Sequence, residues 1–215
     1  MPPGKNYKIF KRINNDRFLI TGNTGFVGSW LFYTFLKKKI KTFGIGLERK
    51  NKEDLFNQLN LQKNKQSSFV DILNYAKLKK IVMKEKPSTI IHLAAESLVI
   101  EAFKNPYKTY NTNIMGTLNI LKIIKNFNFV KNAIFFTSDK VYANYNFSKK
   151  FSENDNLGGD DPYSGSKSAS EMVINSYTKS YLNNKKIIIL RCGNIIGGGD
   201  INDNRLIPDI FKSYK

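Results

Sequence analysis

Phe18-Leu19-Ile20-Thr21-Gly22-Asn23-Thr24-Gly25-Phe26-Val27-Gly28 is the stretch that decides the fold of this chain. Phe18 to Thr21 reads as a short apolar strand that ends at Gly22. From Phe26 to Lys39 the apolar residues recur at helical spacing, and three lysines close the segment, where cations suit a helix C-terminus. Between strand and helix a glycine recurs every third residue. The turn needs glycine conformations, and the helix must pack closely on the sheet. The N–H groups at the start of such a helix face outward, ready for a phosphate. Strand before and helix after is the context that a dinucleotide's pyrophosphate requires. A structural turn with no ligand is the plainer alternative.

Outward from this loop, strands and helices alternate. Lys41 to Leu47, Ser68 to Val70, Thr89 to Leu93 and Ala133 to Thr137 read as strands, and Lys186 to Leu190 as a further buried one. Asn74 to Lys86 is amphipathic, with Pro87 placed where a helix must stop. Tyr107 to Lys125 reads as one long helix, and Pro162 to Leu182 as another with proline in its first turn. The polar stretch Asn144 to Asp161 reads as a loop, and there is no internal repeat. Alternation of this kind predicts an α/β fold, a doubly wound parallel sheet with helices on both faces.

Composition narrows the chemistry. The chain has 215 residues, 41% hydrophobic and 24% charged, as in ordinary soluble proteins. No apolar run approaches the ~20 residues of a membrane span. Met1 to Arg17 is basic but lacks the apolar core and small-residue cleavage site of a signal peptide. Cys192 is the single cysteine, which excludes an intramolecular disulfide and fits a reducing cytoplasm. One histidine, His92, leaves little room for Ser-His-Asp hydrolysis or a histidine-rich metal site, so no metal is expected. The net charge of +18 is spread along the chain with many Asn and Ile, a compositional bias rather than a nucleic-acid patch.

Tyr163 and Lys167 lie four residues apart at the opening of the last long helix, so they share a face. A free phenol titrates near ~10. A neighbouring cation favours the phenolate, which could then take a proton from a substrate hydroxyl, the first step of oxidising an alcohol. A solvated helix face is the plainer reading of that pattern alone. At the end of the second strand Glu48 suits a ribose 2′-hydroxyl and Arg49 a 2′-phosphate, leaving NAD against NADP open. Asp71 suits either an adenine amino group or the N-cap of the helix that follows. Ser138 and Asp139 either serve chemistry or satisfy backbone at a strand end. Asn194 either binds substrate or caps a turn. His92 reads as a packed strand-end residue.

Taken in order, TGNTGFVGSWL (21–31), HLAAESLV (92–99), TNIMGT (112–117), FTSDKVY (136–142), LGGDDPY (157–163), RCGNIIGGGD (191–200) and RLIPD (205–209) resemble the extended short-chain dehydrogenases, the NAD-dependent epimerase/dehydratase family. More narrowly they are similar to the CDP-glucose 4,6-dehydratase branch. Lys140 follows Asp139 where dTDP-glucose and GDP-mannose dehydratases usually carry Glu. The resemblance covers about residues 17 to 211.

That resemblance implies NAD as cofactor, held by Gly22, Thr24, Gly25, Phe26, Val27, Gly28, Asp71, Ile72, Leu93, Ala94 and Ala95 together with Tyr163 and Lys167. Val27 stands where the family usually has Lys. It implies CDP-glucose as substrate, contacted by Ser97, Asn113, Ser138, Asn194 and Arg205. Tyr163 would deprotonate the C4 hydroxyl, Lys167 would lower the Tyr163 pKa, and Ser138 would hold the C4 oxygen. Asp139 would act as acid on the C6 hydroxyl. Lys140 would act as base at C5, provided burial lowers its pKa. Residues 1–193 would form the dinucleotide-binding Rossmann domain and 194–215 the beginning of a substrate lobe that family members continue much further, so turnover by these residues alone is expected to be poor. Helices 107–125 and 162–182 would form a homodimer contact. No specific nucleic acid or membrane partner is expected.

Overall fold

The computed structural model describes residue 13, residues 16–143 and residues 150–214. Most of the basic N-terminal segment, and residues 144–149 of the polar loop, lie outside the described residues.

Six strands form one parallel sheet: β1 (Phe18–Thr21), β2 (Thr42–Gly46), β3 (Ser67–Phe69), β4 (Thr89–His92), β5 (Asn132–Phe136) and β6 (Lys186–Leu190). Their order across the sheet is β3-β2-β1-β4-β5-β6. The expected α/β doubly wound architecture is what forms, with the order reversing between β1 and β4. A crevice opens at such a switch point, beyond the carboxyl ends of the strands.

Side chains alternate across β1. Leu19 joins one buried layer with Leu78, Val82, Ile120, Ile124 and Ile174, contributed by α3 (Tyr75–Glu85), α6 (Gly116–Asn126) and α7 (Pro162–Tyr181). Phe18 and Ile20 join the other with Phe32, Phe35 and Phe56, from α1 (Phe26–Lys37) and α2 (Leu55–Gln58). The sheet is therefore covered on both faces, which is why β1 and β4 are buried along their whole length. β6 departs from expectation. It is the edge strand, its three isoleucines are half-buried, and its terminal Lys186 and Leu190 are exposed.

The long helix expected over 107–125 is interrupted. It consists of α5 (Pro106–Tyr110), a wide π-type turn (Asn111–Met115) and α6. The helices α4 (Val99–Lys104), α2 and α8 (Leu206–Ser213) are additional to those expected. Asn74, not Asp71, caps α3, its side chain accepting the Lys77 N–H at 3.1 Å. The Asp71 carboxylate instead accepts the N–H of Leu73 at 2.8 Å, in a turn ahead of that helix.

Candidate functional site

The glycine loop sits at the switch point. Gly22 has φ +74°, and a Cβ there would stand 2.7 Å from the backbone nitrogen of Ala94, so the loop after β1 touches the segment after β4. A Cβ on Gly28 would stand 2.0 Å from the Gly22 carbonyl oxygen, so α1 lies hard against its own turn. Gly25 differs: a Cβ there meets nothing closer than 3.4 Å, and its face is open to the cleft. Gly25 is also the N-cap of the 12-residue α1 and gives it no side-chain cap. An uncapped helix N-terminus beside an open glycine is a cradle into which a pyrophosphate fits.

The cleft over this loop encloses about 1620 Å³. That exceeds the ~300–1,000 Å³ of a usual small-molecule pocket and suits an elongated ligand. Its walls hold all the expected cofactor residues, Gly22, Thr24, Gly25, Phe26, Val27, Gly28, Asp71, Ile72, Leu93, Ala94 and Ala95. Ser138, Asp139, Lys140, Tyr163 and Lys167 line the same cleft, as do Ser97, Asn194 and Arg205.

α7 presents the reactive pair because its start is fixed. Asp161 accepts the N–H of Tyr163 at 2.8 Å and of Ser164 at 3.1 Å, while the Asp161 N–H donates to Ser164 Oγ at 3.2 Å. This reciprocal cap, with Pro162 next to it, sets Tyr163 in the first turn. Ser138 follows the end of β5 by two residues and carries three duties. Its hydroxyl oxygen accepts the Lys140 N–H at 3.2 Å, it lies 3.3 Å from an Asp139 carboxylate oxygen, and it hydrogen-bonds the Tyr163 side chain. Ser138 therefore caps a turn, as one of its two readings expects, and its side chain also touches the phenol.

Burial raises the Tyr163 pKa above its ordinary value. The Ser138 hydrogen bond opposes this most, followed by the Lys140 charge. The Asp139 carboxylate adds to the rise, and Arg205 offsets it. The net direction is opposite to the one expected from the Tyr163/Lys167 spacing. Burial outweighs the cations, and Lys167 is not among those cations because of where it points. Its ammonium is buried and donates to the Phe136 carbonyl at 3.1 Å, and burial lowers its own pKa to about 8. The cations that act on the phenol are Lys140 and Arg205.

Two further expectations are corrected. Asn113 is only 2% exposed and does not line the open cleft. Its side chain is occupied by the Glu96 N–H at 2.9 Å, the Glu96 carbonyl at 3.0 Å and Ser166 Oγ at 2.8 Å. It positions the wall and is not placed to meet a substrate. Lys140 is not buried: its head group is half exposed and lies 3.4 Å from the Asp139 carboxylate. The burial that would make it a base is missing.

His92 is a packed strand-end residue. Thr21 Oγ1 lies 2.7 Å from Nδ1 and Thr117 Oγ1 3.2 Å from Nε2, and burial lowers its pKa to about 3. Arg205 reaches across the cleft mouth, with one nitrogen 3.0 Å from Asp200 and another 3.5 Å from Ser97. The 193–205 segment is tied back to the cofactor side. The Trp30 indole N–H donates to the Gly198 carbonyl at 2.9 Å, and Gly197 lies against Phe26.

Glu171 has no part in the expected site, yet it is buried in the wall behind it and hydrogen-bonded to Thr137 and Arg191. Its signal in the sequence is spacing: it follows Lys167 by four residues, as Lys167 follows Tyr163, so all three share one helix face.

This sheet order, glycine loop and tyrosine–lysine helix together define a Rossmann domain of the dinucleotide-binding dehydratase/epimerase class. Within that class, the chain belongs to the GDP-mannose 4,6 dehydratase family, whose model matches residues 19–213. It is 35% identical over 206 residues to the CDP-glucose 4,6-dehydratase of Salmonella typhimurium, covering 93% of this chain and 57% of that protein. It is 31% identical to a UDP-glucuronate 4-epimerase of Thermodesulfobacterium geofontis, over 91% of this chain and 62% of that protein. A solved dTDP-glucose 4,6-dehydratase from Bacillus anthracis, in complex with NAD, superposes with a TM-score of 0.75 at 26% identity, covering 93% of this chain and 61% of that one. The chain thus spans about three-fifths of the length of the relatives it matches.

Proposed function

We propose that this chain carries the cofactor and acid–base half of an NAD-dependent CDP-glucose 4,6-dehydratase, yielding a CDP-4-keto-6-deoxyglucose. The observation that carries this reading is the convergence of Ser138, Asp139, Lys140, Tyr163 and Lys167 on one wall of the cleft that the glycine loop floors. The 35% identity to a CDP-glucose 4,6-dehydratase supports the choice of sugar nucleotide, as does Lys140 next to Asp139. Residues 1–193 are read as the dinucleotide-binding unit and 194–215 as the near edge of the substrate side.

Bound NAD would accept a hydride from C4 and return it to C6. The protein's part is proton handling. Tyr163 takes the C4 hydroxyl proton as the phenolate, the form that the Ser138 hydrogen bond and the Lys140 and Arg205 charges favour against burial. The 4-ketone acidifies C5–H. Asp139, exposed to the cleft beside Ser138, takes the C5 proton as the carboxylate and delivers it to the departing C6 hydroxyl, which leaves as water. Lys167, whose ammonium donates to the Phe136 carbonyl, would hold the nicotinamide ribose. General acid–base steps of this kind contribute roughly 10²–10⁴-fold each.

The test is a panel of CDP-, dTDP-, GDP- and UDP-sugars incubated with the protein and NAD, with products followed by NMR. Whatever turnover occurs, loss of water with a new C4 carbonyl is expected from CDP-glucose and from no other sugar nucleotide. Inversion at C4 without loss of water would make it an epimerase instead. We also propose a homodimer through helices 107–125 and 162–182, since Tyr107 (80% exposed) and Met172 (61%) leave apolar side chains uncovered there; light scattering reads the mass.

A further inference from the structure

We infer that Asn23 is a positioning residue for the dinucleotide: its side chain, buried beneath the glycine loop, holds that loop in the form that receives the phosphates. This rests on the cleft being a dinucleotide site. Gly22-Asn23-Thr24-Gly25 is a short turn with a glycine at either end, and glycine leaves the backbone free to take other forms. Side chains that fix the turn must come from the two residues between. Both are buried, Asn23 at 0% exposure and Thr24 at 4%.

β2 is hollowed to receive them. Thr42, Gly44 and Gly46 fall on one face of that strand. A Cβ on Gly44 would stand 2.1 Å from Asn23 Nδ2 and 2.4 Å from its Cγ, and one on Gly46 would stand 2.4 Å from Thr24 Oγ1 and 3.0 Å from Asn23 Oδ1. The Asn23 amide therefore lies in the trough that two absent side chains leave. It crosses β2 to β3, where Nδ2 donates to Ser67 Oγ at 2.8 Å, Ser67 being the register partner of Gly44. From the helix side, Ser29 Oγ of α1 donates to the Asn23 carbonyl at 3.2 Å. Asn23, Gly44 and Ser67 do not line the cleft, so their effect on a ligand is indirect. Asn23 Oδ1 has no hydrogen-bond partner among the described residues. A buried carbonyl left in that state costs stability, so packing alone is a poor account of an amide here. The directed bond to Ser67 accounts for it. A loop held before its ligand arrives loses less freedom on binding.

The experiment measures affinity for NAD⁺ and ADP by titration calorimetry, and for adenosine, the phosphate-free control, by ligand-observed NMR. The proteins are wild type, Asn23→Ala, Ser67→Ala, Gly44→Ala, and Asn23→Ala combined with each of the other two. Asn23→Ala should weaken NAD⁺ and ADP by about tenfold and leave adenosine within about twofold. Ser67→Ala, a small change away from the cleft, should reproduce part of that loss. Its combination with Asn23→Ala should bind no more weakly than Asn23→Ala alone, because both changes remove one bond. Gly44→Ala should weaken NAD⁺ more than Asn23→Ala does, and adding Asn23→Ala should restore binding, since the methyl group then fills the trough. Unchanged NAD⁺ affinity in Asn23→Ala and Ser67→Ala overturns the inference. So does an equal loss for adenosine, which a general loosening of the fold produces, or full NAD⁺ binding by Gly44→Ala with Asn23 in place. A wild type that binds neither NAD⁺ nor ADP overturns the cofactor reading as well. If Asn23→Ala does not fold, Ser67→Ala tests the same bond.

Discussion

Glu171 and Arg191 form a fork-to-fork ion pair in the wall behind Ser138, with Arg191 Nε 3.0 and 3.1 Å from the two Glu171 carboxylate oxygens. Thr137 Oγ1 donates to the same carboxylate at 3.2 Å, and the guanidinium stacks over the Tyr142 ring at 4.6 Å. The pair therefore ties α7, the end of β6 and the segment carrying Ser138 into one unit. Glu171 is 2% exposed. Removing one member leaves a buried charge unpaired, at a cost of about 3–5 kcal/mol. Glu171→Ala should lower the urea midpoint accordingly, and Glu171→Ala with Arg191→Met should cost less than the two single changes added together. A Glu171→Ala loss below about 1 kcal/mol would show the pair to be idle.

Tyr163→Phe keeps the ring and removes the hydroxyl that meets Ser138. Dinucleotide affinity should stay within a few-fold, while C4 oxidation in single-turnover assays should fall by roughly 10²–10⁴-fold. Undiminished oxidation would move the base elsewhere.

Lys167 titrates at about 8 in the folded chain, against an ordinary 10.5. The unfolded chain then binds the extra proton between those values, so stability rises with pH across that window and the penalty of a buried ammonium is fully present below it. Lys167→Met removes the group. Its stability profile between pH 8 and 10.5 should be flatter than that of wild type by up to roughly 3 kcal/mol. Parallel profiles would contradict the buried charge.

His92 works in the acid range. Its folded pKa of about 3 lies below the ordinary 6.5, so unfolding takes up a proton and stability is lost as pH falls through that interval. His92→Gln should unfold less steeply between pH 6.5 and 3 in circular dichroism titrations, even if its stability at neutral pH is lower.

Gly28→Ala would drive a methyl group to 2.0 Å from the Gly22 carbonyl, a backbone atom that cannot rotate away. Overpacking of this kind costs typically about 1–3 kcal/mol. Here it should also weaken dinucleotide binding, since the displaced atoms belong to the phosphate loop. Gly198→Ala, with open space around it, should be close to neutral in both assays.

The sheet was legible in the sequence because β1, β4 and β5 are short apolar runs set between long periodic segments, and the glycine loop because its spacing reflects backbone contacts. Tyr163 and Lys167 were legible as neighbours, but spacing says only that two side chains share a face. It does not say that Lys167 turns inward to the Phe136 carbonyl while Lys140 and Arg205, remote from each other in sequence, face the phenol. Asn113 illustrates the same limit. The π-type turn at 111–115 gives its amide to the Glu96 backbone and Ser166, which no pattern along one helix reveals. β6 misled because an apolar strand at a sheet edge has the same composition as one in the middle.

Trp30 is the single tryptophan of the chain, and its indole N–H is bonded to the Gly198 carbonyl where the 193–205 segment leans over the start of α1. Its emission is thus an unmixed optical signal from that junction. A shift in wavelength or quenching on adding a ligand would report the rearrangement of this one contact, in real time and without labelling.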